Sequence, residues 1–286
     1  MDAEEHRGLI RAVRQRLESL ARAGVDRIAL PDFEPPPPTK VSAPAPSPVR
    51  IAPIATPTPT PTPTAPPTTV PAPIGSLFEE PTLEGPALAP GERAGALATL
   101  RAEVSGCVRC PQLAATRTQT VFGTGSPTAR LMFIGEAPGA DEDRTGEPFV
   151  GRAGVLLTDM ITKGMGLARD EVYIANVLKS RPPENRTPLP DEVAHCLPYL
   201  ERQIDIIRPE FLCLLGKSAV AALLETALPM NRLRGRWHRY RGLPTVVTWH
   251  PAYLLRNPSA KREAWDDLQL LMQAMGLKVP GRKKTP

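Results

Sequence analysis

Two neighbouring glycine-rich segments and two isolated polar residues hold most of the reactive chemistry of this 286-residue chain. GEAPGADED, residues 135–143, runs into GEPFVGRAG, residues 146–154. Gly135, Ala137, Pro138 and Gly139 make a turn tight enough to bring backbone N–H groups against a ligand, and Glu136 holds a carboxylate there. Asp141 and Asp143 stand behind it as further carboxylates. Phe149 lies between the glycines of the second segment, where an aromatic ring can stack on a nucleobase for about 1–3 kcal/mol. Each feature also has a plain structural meaning: a turn after a strand, a solvated acidic stretch, an aromatic plug in the core.

Asn176 carries a carboxamide with one acceptor and two donors. Fixed in place, it can pair with a pyrimidine edge that sets N3–H beside O4, as uracil does, and cytosine reverses that order. A site built on such pairing rejects the mismatched base far better than an apolar pocket can. His250 opens HPAYLLR, held extended by Pro251; its imidazole can donate to an oxygen that gains charge as a leaving group departs. Leu254, Leu255 and Arg256 then offer an apolar wedge beside a phosphate partner. RLRGRWHRYRG, residues 232–242, interleaves five arginines with aromatics, a composition suited to nucleic acid or to a solvated hairpin. Turn-capping roles for Asn176 and His250 remain open at this level.

The four cysteines are too few for a disulfide framework. Cys107 and Cys110 form a C-x-x-C, which points to metal or redox chemistry. Cys213, inside the apolar FLCLLG, reads as a small core residue. A thioredoxin-like redox enzyme is disfavoured, since the C-x-x-C precedes the first strand.

These residues must be positioned by regular elements. Helical patterns cover 93–105, 152–166, 190–207, 217–227 and 259–275, alternating with apolar strands at 130–135, 172–179, 210–216 and 244–249. The alternation predicts a three-layer α/β/α sandwich around a four-stranded parallel sheet. In such sheets ligands gather at the carboxyl ends of the strands, where GEAPG, Asn176, Gly216 and HPAYLLR all fall.

Residues 31–90 contain 20 of the 36 prolines, so 31–92 reads as a disordered Pro/Thr/Ala-rich linker. It separates an N-terminal amphipathic helix, within residues 1–30, from a domain at 93–286. The helix is either a docking element for a protein partner or a helix without one. From Arg93 onward 27 Lys+Arg stand against 19 Asp+Glu, whereas residues 1–92 hold 8 against 11. The basic surplus of the domain suits a polyanionic partner. No segment approaches the ~18 apolar residues of a membrane span, and no signal-peptide core follows the acidic N-terminus. The expectation is a cytoplasmic monomer without membrane contact.

Taken together, GEAPGADED, GEPFVGRAG, NVLK-RPPENR-P, HCLPYL and HPAYLLR resemble the family 4 uracil-DNA glycosylases, the iron–sulfur branch of that superfamily, over about residues 93–275. The resemblance implies an enzyme that flips uracil out of DNA and hydrolyses its N-glycosidic bond, with no nucleotide cofactor. Phe149 would stack on the uracil, Asn176 would read its edge and His250 would stabilise the departing anion. Leu254 and Leu255 would fill the gap in the duplex, and Arg256 would hold a phosphate. Ala137 stands where a better-understood branch carries a water-orienting Asp, which leaves Glu136 as the nearest carboxylate. The family also implies a 4Fe-4S cluster. Cys107, Cys110 and Cys196 match three of its ligands, whereas Ser180 occupies the fourth position. These two departures motivate the alternative of a DNA-binding or polymerase-associated module with weakened chemistry.

Overall fold

Successive residues of the strand LMFIG point to opposite faces, and both faces are apolar, which is the pattern of a strand buried on two sides. In the computed structural model, which describes Leu83, Gly85 and residues 87–279, this strand lies in the middle of the sheet. The described residues fall within one compact unit, Ala72–Pro286. The expected N-terminal helix, within residues 1–30, and most of the expected linker, residues 31–92, lie outside the described residues.

The strands are β1 (Thr124–Gly125), β2 (Leu131–Gly135), β3 (Tyr173–Asn176), β4 (Phe211–Leu215), β5 (Trp237–Tyr240) and β6 (Leu243–Thr248), in spatial order β1-β3-β2-β4-β6-β5. The four central strands are mutually parallel, as the alternating pattern predicts. The sheet has six strands, however, because β1 and β5 add short antiparallel edges. β1 is two residues long and too short to show a period. β5 comes from the arginine-rich stretch and joins β6 through Arg241 and Gly242, both at positive φ (49° and 77°), as a two-residue hairpin turn requires.

The helices are α1 (Pro90–Ser105), α2 (Pro111–Thr116), α3 (Ala140–Thr145), α4 (Arg152–Asp159), α5 (Pro190–Ile207), α6 (Lys217–Leu224), α7 (Met230–Leu233), α8 (Pro251–Arg256) and α9 (Lys261–Ala274). Proline opens α1, α2, α5 and α8, where its missing N–H costs nothing and its fixed φ suits the first turn. α1 begins three residues before the expected boundary, and Leu83 already packs on the core. α4 widens into a π turn, Met160–Met165, and stops at Gly166 in the left-handed region (φ 73°).

The sheet's two faces carry separate cores. Met132, Ile134, Ala175 and Val247 pack with Leu100 of α1, Leu200 and Ile204 of α5 and Val220 of α6. Leu131, Phe133, Ile174, Cys213 and Val246 face Leu157, Ile161, Leu268 and Leu271 of the α4 and α9 side. Cys213 is fully buried there, a core residue as expected. No helix among the described residues is long and apolar enough to cross a membrane.

Candidate active site

The carboxyl ends of β2 and β3 and the segments after β6 surround a cavity of ≈ 460 Å³, lined among others by Glu136, Ala137, Phe149, Asn176, His250 and Arg256. The β2–β3 pairing continues past the strands, for Val177 N donates to the Gly135 carbonyl and Leu178 N to that of Glu136, both at 3.0 Å. The cavity floor is therefore an extension of the sheet.

Phe149 is buried with φ at 55°, a conformation that costs a non-glycine residue roughly 1–3 kcal/mol unless its surroundings fix it. Three devices do so. Glu142 accepts from the backbone N–H groups of Gly139 (3.0 Å), Val150 (2.9 Å) and Gly151 (3.0 Å), clasping both ends of the loop. Arg169 donates to the carbonyls of Pro148 (2.8 Å) and Phe149 (3.1 Å). Gly154 admits the Phe149 carbonyl where a Cβ would stand 1.9 Å from it. The Phe149 ring then lies 5.6 Å, centroid to centroid, from the His250 ring.

Gly135 lets this ring and Asn176 close over the strand end: a Cβ here would meet Asn176 Oδ1 at 2.4 Å and the Phe149 ring at 2.5 Å. Asn176 is 2% exposed, and its Oδ1 is the buried side-chain oxygen or nitrogen without a hydrogen-bond partner among the described residues. Such an orphan costs about 1–3 kcal/mol, a debt that a ligand donor would cancel. Beneath it, buried Lys179 donates to the Asn176 carbonyl (2.8 Å), the Phe122 carbonyl (3.2 Å) and Gln203 Oε1 (2.6 Å), tying the strand end to α5. Burial lowers the Lys179 ammonium to about 7, partly opposed by Cys196.

His250 caps α8, with Nδ1 accepting from the Ala252 N–H at 3.1 Å. Desolvation first, then the charge of Arg256, brings the ring down to about 4 against the pull of Glu142. The imidazole is thus neutral near pH 7, and with Nδ1 accepting, its proton sits on Nε2. Gly216, at φ 85°, packs against it where a Cβ would stand 2.8 Å from His250 Cβ.

Glu136 Oε2 accepts from the Ser218 hydroxyl at 2.6 Å, a short, charge-assisted bond. Asp143 faces away from the cavity and accepts the Thr118 N–H at 3.0 Å, while Asp141 meets Arg144 on the surface. The acidic run therefore supplies one carboxylate at the turn, Glu136, and one loop clasp, Glu142. Ser218 and Arg169 lie outside the quoted motifs, and Glu142 and Lys179 lie inside GEAPGADED and NVLK without standing out there; proximity in the fold marks all four.

Leu254 corrects an expectation. It is 1% exposed and packs with Ala260 and Ala264, holding α8 to the body, because a six-residue helix needs an apolar anchor. Leu255 is 42% exposed and remains the candidate wedge, with Arg256 beside it.

Ala137 lines the cavity and also packs on the cluster of Leu113, Leu178 and Cys196, against which Cys110 packs as well. The Cys110 thiol is raised to about 11, by burial first and then by Cys196, Glu192 and Cys107, so the three sulfurs sense one another. Cys110 also opens α2 and lies 3.4 Å from His195 Nδ1. Ser180 is buried, and its hydroxyl oxygen accepts from Arg117 at 3.0 Å while the same guanidinium donates to the Cys107 carbonyl at 2.7 Å. Among the described residues no three His, Cys, Asp or Glu side chains are set to hold one metal ion. A four-iron cluster takes one ligand on each iron, so its ligands need not converge on one point. Three thiols with cationic Arg117 beside the fourth position suit an anionic cluster of that kind.

A mostly parallel sheet whose carboxyl end carries a cavity with a buried phenylalanine, an unpaired carboxamide oxygen and a neutral imidazole defines a class, and the uracil DNA glycosylase superfamily model matches residues 122–269. The type-4 uracil-DNA glycosylase of Sulfurisphaera tokodaii is 42% identical over 185 residues, 62% of this chain and 84% of that protein. That of Thermotoga maritima is 45% identical over 158 residues, 54% of this chain and 81% of its own. The chain belongs to the type-4 uracil-DNA glycosylase family.

Proposed function

We propose that this protein removes uracil from DNA by hydrolysing its N-glycosidic bond. The observation that carries the reading is the orphaned Asn176 Oδ1, buried at the wall of a cavity that also holds Phe149 and His250. Uracil N3–H donates to Oδ1, the side-chain N–H of Asn176 donates to O4, and Phe149 stacks on the ring. As the C1′–N1 bond breaks, its electron pair leaves with the base, and His250 Nε2–H donates to the oxygen that gains charge. Water adds to C1′ and gives up a proton. Glu136, aligned by Ser218, is the carboxylate placed to receive it. Leu255 enters the gap left in the duplex and Arg256 holds a phosphate.

A DNA-binding module without chemistry is not favoured, because a merely structural Asn176 would have its acceptor paired. Cys107, Cys110 and Cys196 would hold the 4Fe-4S cluster that the family implies, with Ser180 as a weaker oxygen ligand. The compact unit that begins at Ala72 carries the activity in this reading, so a chain starting there should excise at the full rate. The direct test is a uracil-containing oligonucleotide incubated with the protein and treated with alkali: cleavage at uracil, and none at cytosine or thymine, is expected. An uncleaved strand from folded protein would refute the assignment.

A further inference from the structure

The stretch RLRGRWHRYRG lies outside the base cavity, and its arginines fall into two kinds. Arg234 is internal, bridging Glu263 and Asp267 of α9, and Arg241 pairs with Asp205. Arg239 donates to the Gly242 carbonyl. Arg232 and Arg236 are exposed, and among the described residues neither guanidinium has a hydrogen-bonded or ion-paired acceptor. Trp237, next in line, is 41% exposed.

Antiparallel pairing fixes where this pair sits. Trp237 lies opposite Val246, so the α7–β5 junction is at the carboxyl end of β6 and the hairpin turn is at the other end of the sheet. β6 ends at Thr248, two residues before His250. The junction is also pinned to that end: Asp267, which Arg234 pairs with, accepts from Thr248 Oγ1 at 2.8 Å, and Glu263 accepts from Trp249 Nε1 at 2.8 Å. The same two carboxylates thus hold the arginine junction and the residues leading into His250.

We propose that Arg232 and Arg236 clamp the DNA backbone beyond the flipped base. This rests on the excision reading for where the DNA lies. Four residues of extended chain, Val246 to His250, span ~13 Å, and duplex DNA rises 3.4 Å per nucleotide along each strand. The pair therefore stands clear of the nucleotide in the cavity and can meet only the backbone of the flanking duplex. Arginine stays charged at every working pH and its planar fork matches phosphate oxygens. Arg232 and Arg236 also line a groove of ≈ 760 Å³, with Leu197 and Leu228 on its walls, which makes an acidic peptide the competing occupant. DNA is favoured because the stretch that carries the two unpaired guanidiniums is tied, through Asp267 and Glu263, to Thr248 and Trp249, the residues that lead into His250.

The test compares wild type with Arg232→Ser/Arg236→Ser, both checked for the same melting temperature, on uracil duplexes with long flanks (about ten base pairs) and with flanks of about two. On the long duplex the variant should bind about tenfold more weakly near 0.1 M salt, with the slope of log K against log salt reduced by about 1.8 for two phosphates. Single-turnover excision at saturating protein should be unchanged, and the short duplex should show no loss. Unchanged affinity and slope would overturn the clamp, and so would an equal loss on the short duplex. Lost binding of a poly-glutamate peptide with DNA binding intact would assign the patch to an acidic protein instead. If wild type excises nothing while the slope still changes on undamaged duplex, the excision reading fails and the clamp stands.

Discussion

Gly135→Ala puts one methyl group at the point where the Asn176 carboxamide and the Phe149 ring meet. The backbone at Gly135 is ordinary extended strand, so the substitution brings no conformational strain of its own. Its Cβ, however, would stand 2.4 Å from Asn176 Oδ1 and 2.5 Å from the Phe149 ring, where ordinary contact begins near 3.4 Å. Both groups must retreat by about 1 Å, and a displacement of that size in a reacting constellation costs about 100-fold in rate. Neither can retreat cheaply, because Lys179 holds the Asn176 carbonyl, and Glu142 and Arg169 hold the Phe149 loop. The assay is single-turnover excision on a uracil duplex at saturating protein, with duplex affinity measured separately on an abasic analogue. A rate near 1% of wild type with affinity within about threefold is expected. A folded variant that excises at more than about a third of the wild-type rate would mean that the two side chains do not act as a fixed pair.

His250, held at about 4 by desolvation and Arg256, should remain a neutral donor well below its ordinary pKa of 6.5. Excision should stay level from about pH 8 to about pH 5 and decline as pH nears 4; a decline centred near 6.5 would contradict the buried, neutral ring. The unfolded chain takes up this proton at 6.5 and the folded one only near 4, so stability should fall as pH drops through that window and level off below it, which chemical denaturation at a series of pH values would detect. Asn176→Asp leaves two acceptors and no donor facing O4, so discrimination between uracil and cytosine oligonucleotides should change, and an unchanged ratio would remove Asn176 from base recognition. Protein purified without oxygen should contain iron and sulfide that chelators strip readily, and Ser180→Cys should retain them longer; a visible spectrum without iron absorption in both proteins would exclude the cluster.

Much of this architecture is legible in the amino-acid order, because two-sided burial writes itself as unbroken apolar strands and the four central ones are LMFIG, YIAN, FLCLL and the end of LPTVVT. The edges are not. β1 has two residues, and β5 alternates exposed and half-buried polar side chains that read equally well as a loop. In the site, Asn176 and His250 stand out by residue type at strand ends, and Phe149 by its place between two glycines. Their supports do not, since Glu142 looks like any carboxylate in an acidic run and Ser218 like any serine after a glycine. Leu254 and Leu255 are identical letters, and only the three-dimensional placement of α8 decides which faces the core and which faces solvent.

The two hydrogen bonds that carry the β2–β3 ladder past Asn176 bear on how the molecule breathes. Because the amides of Val177 and Leu178 are spent on the carbonyls of Gly135 and Glu136, the cavity floor has no opening motion separate from the sheet. Its amide protons should exchange with solvent only in the rare events that melt the central strands together. Heating would then abolish base removal and the cooperative fold at the same temperature, with no earlier loss from a loosened pocket. Motion needed to admit an extruded nucleotide falls to the DNA itself and to the short helix that presents Leu255.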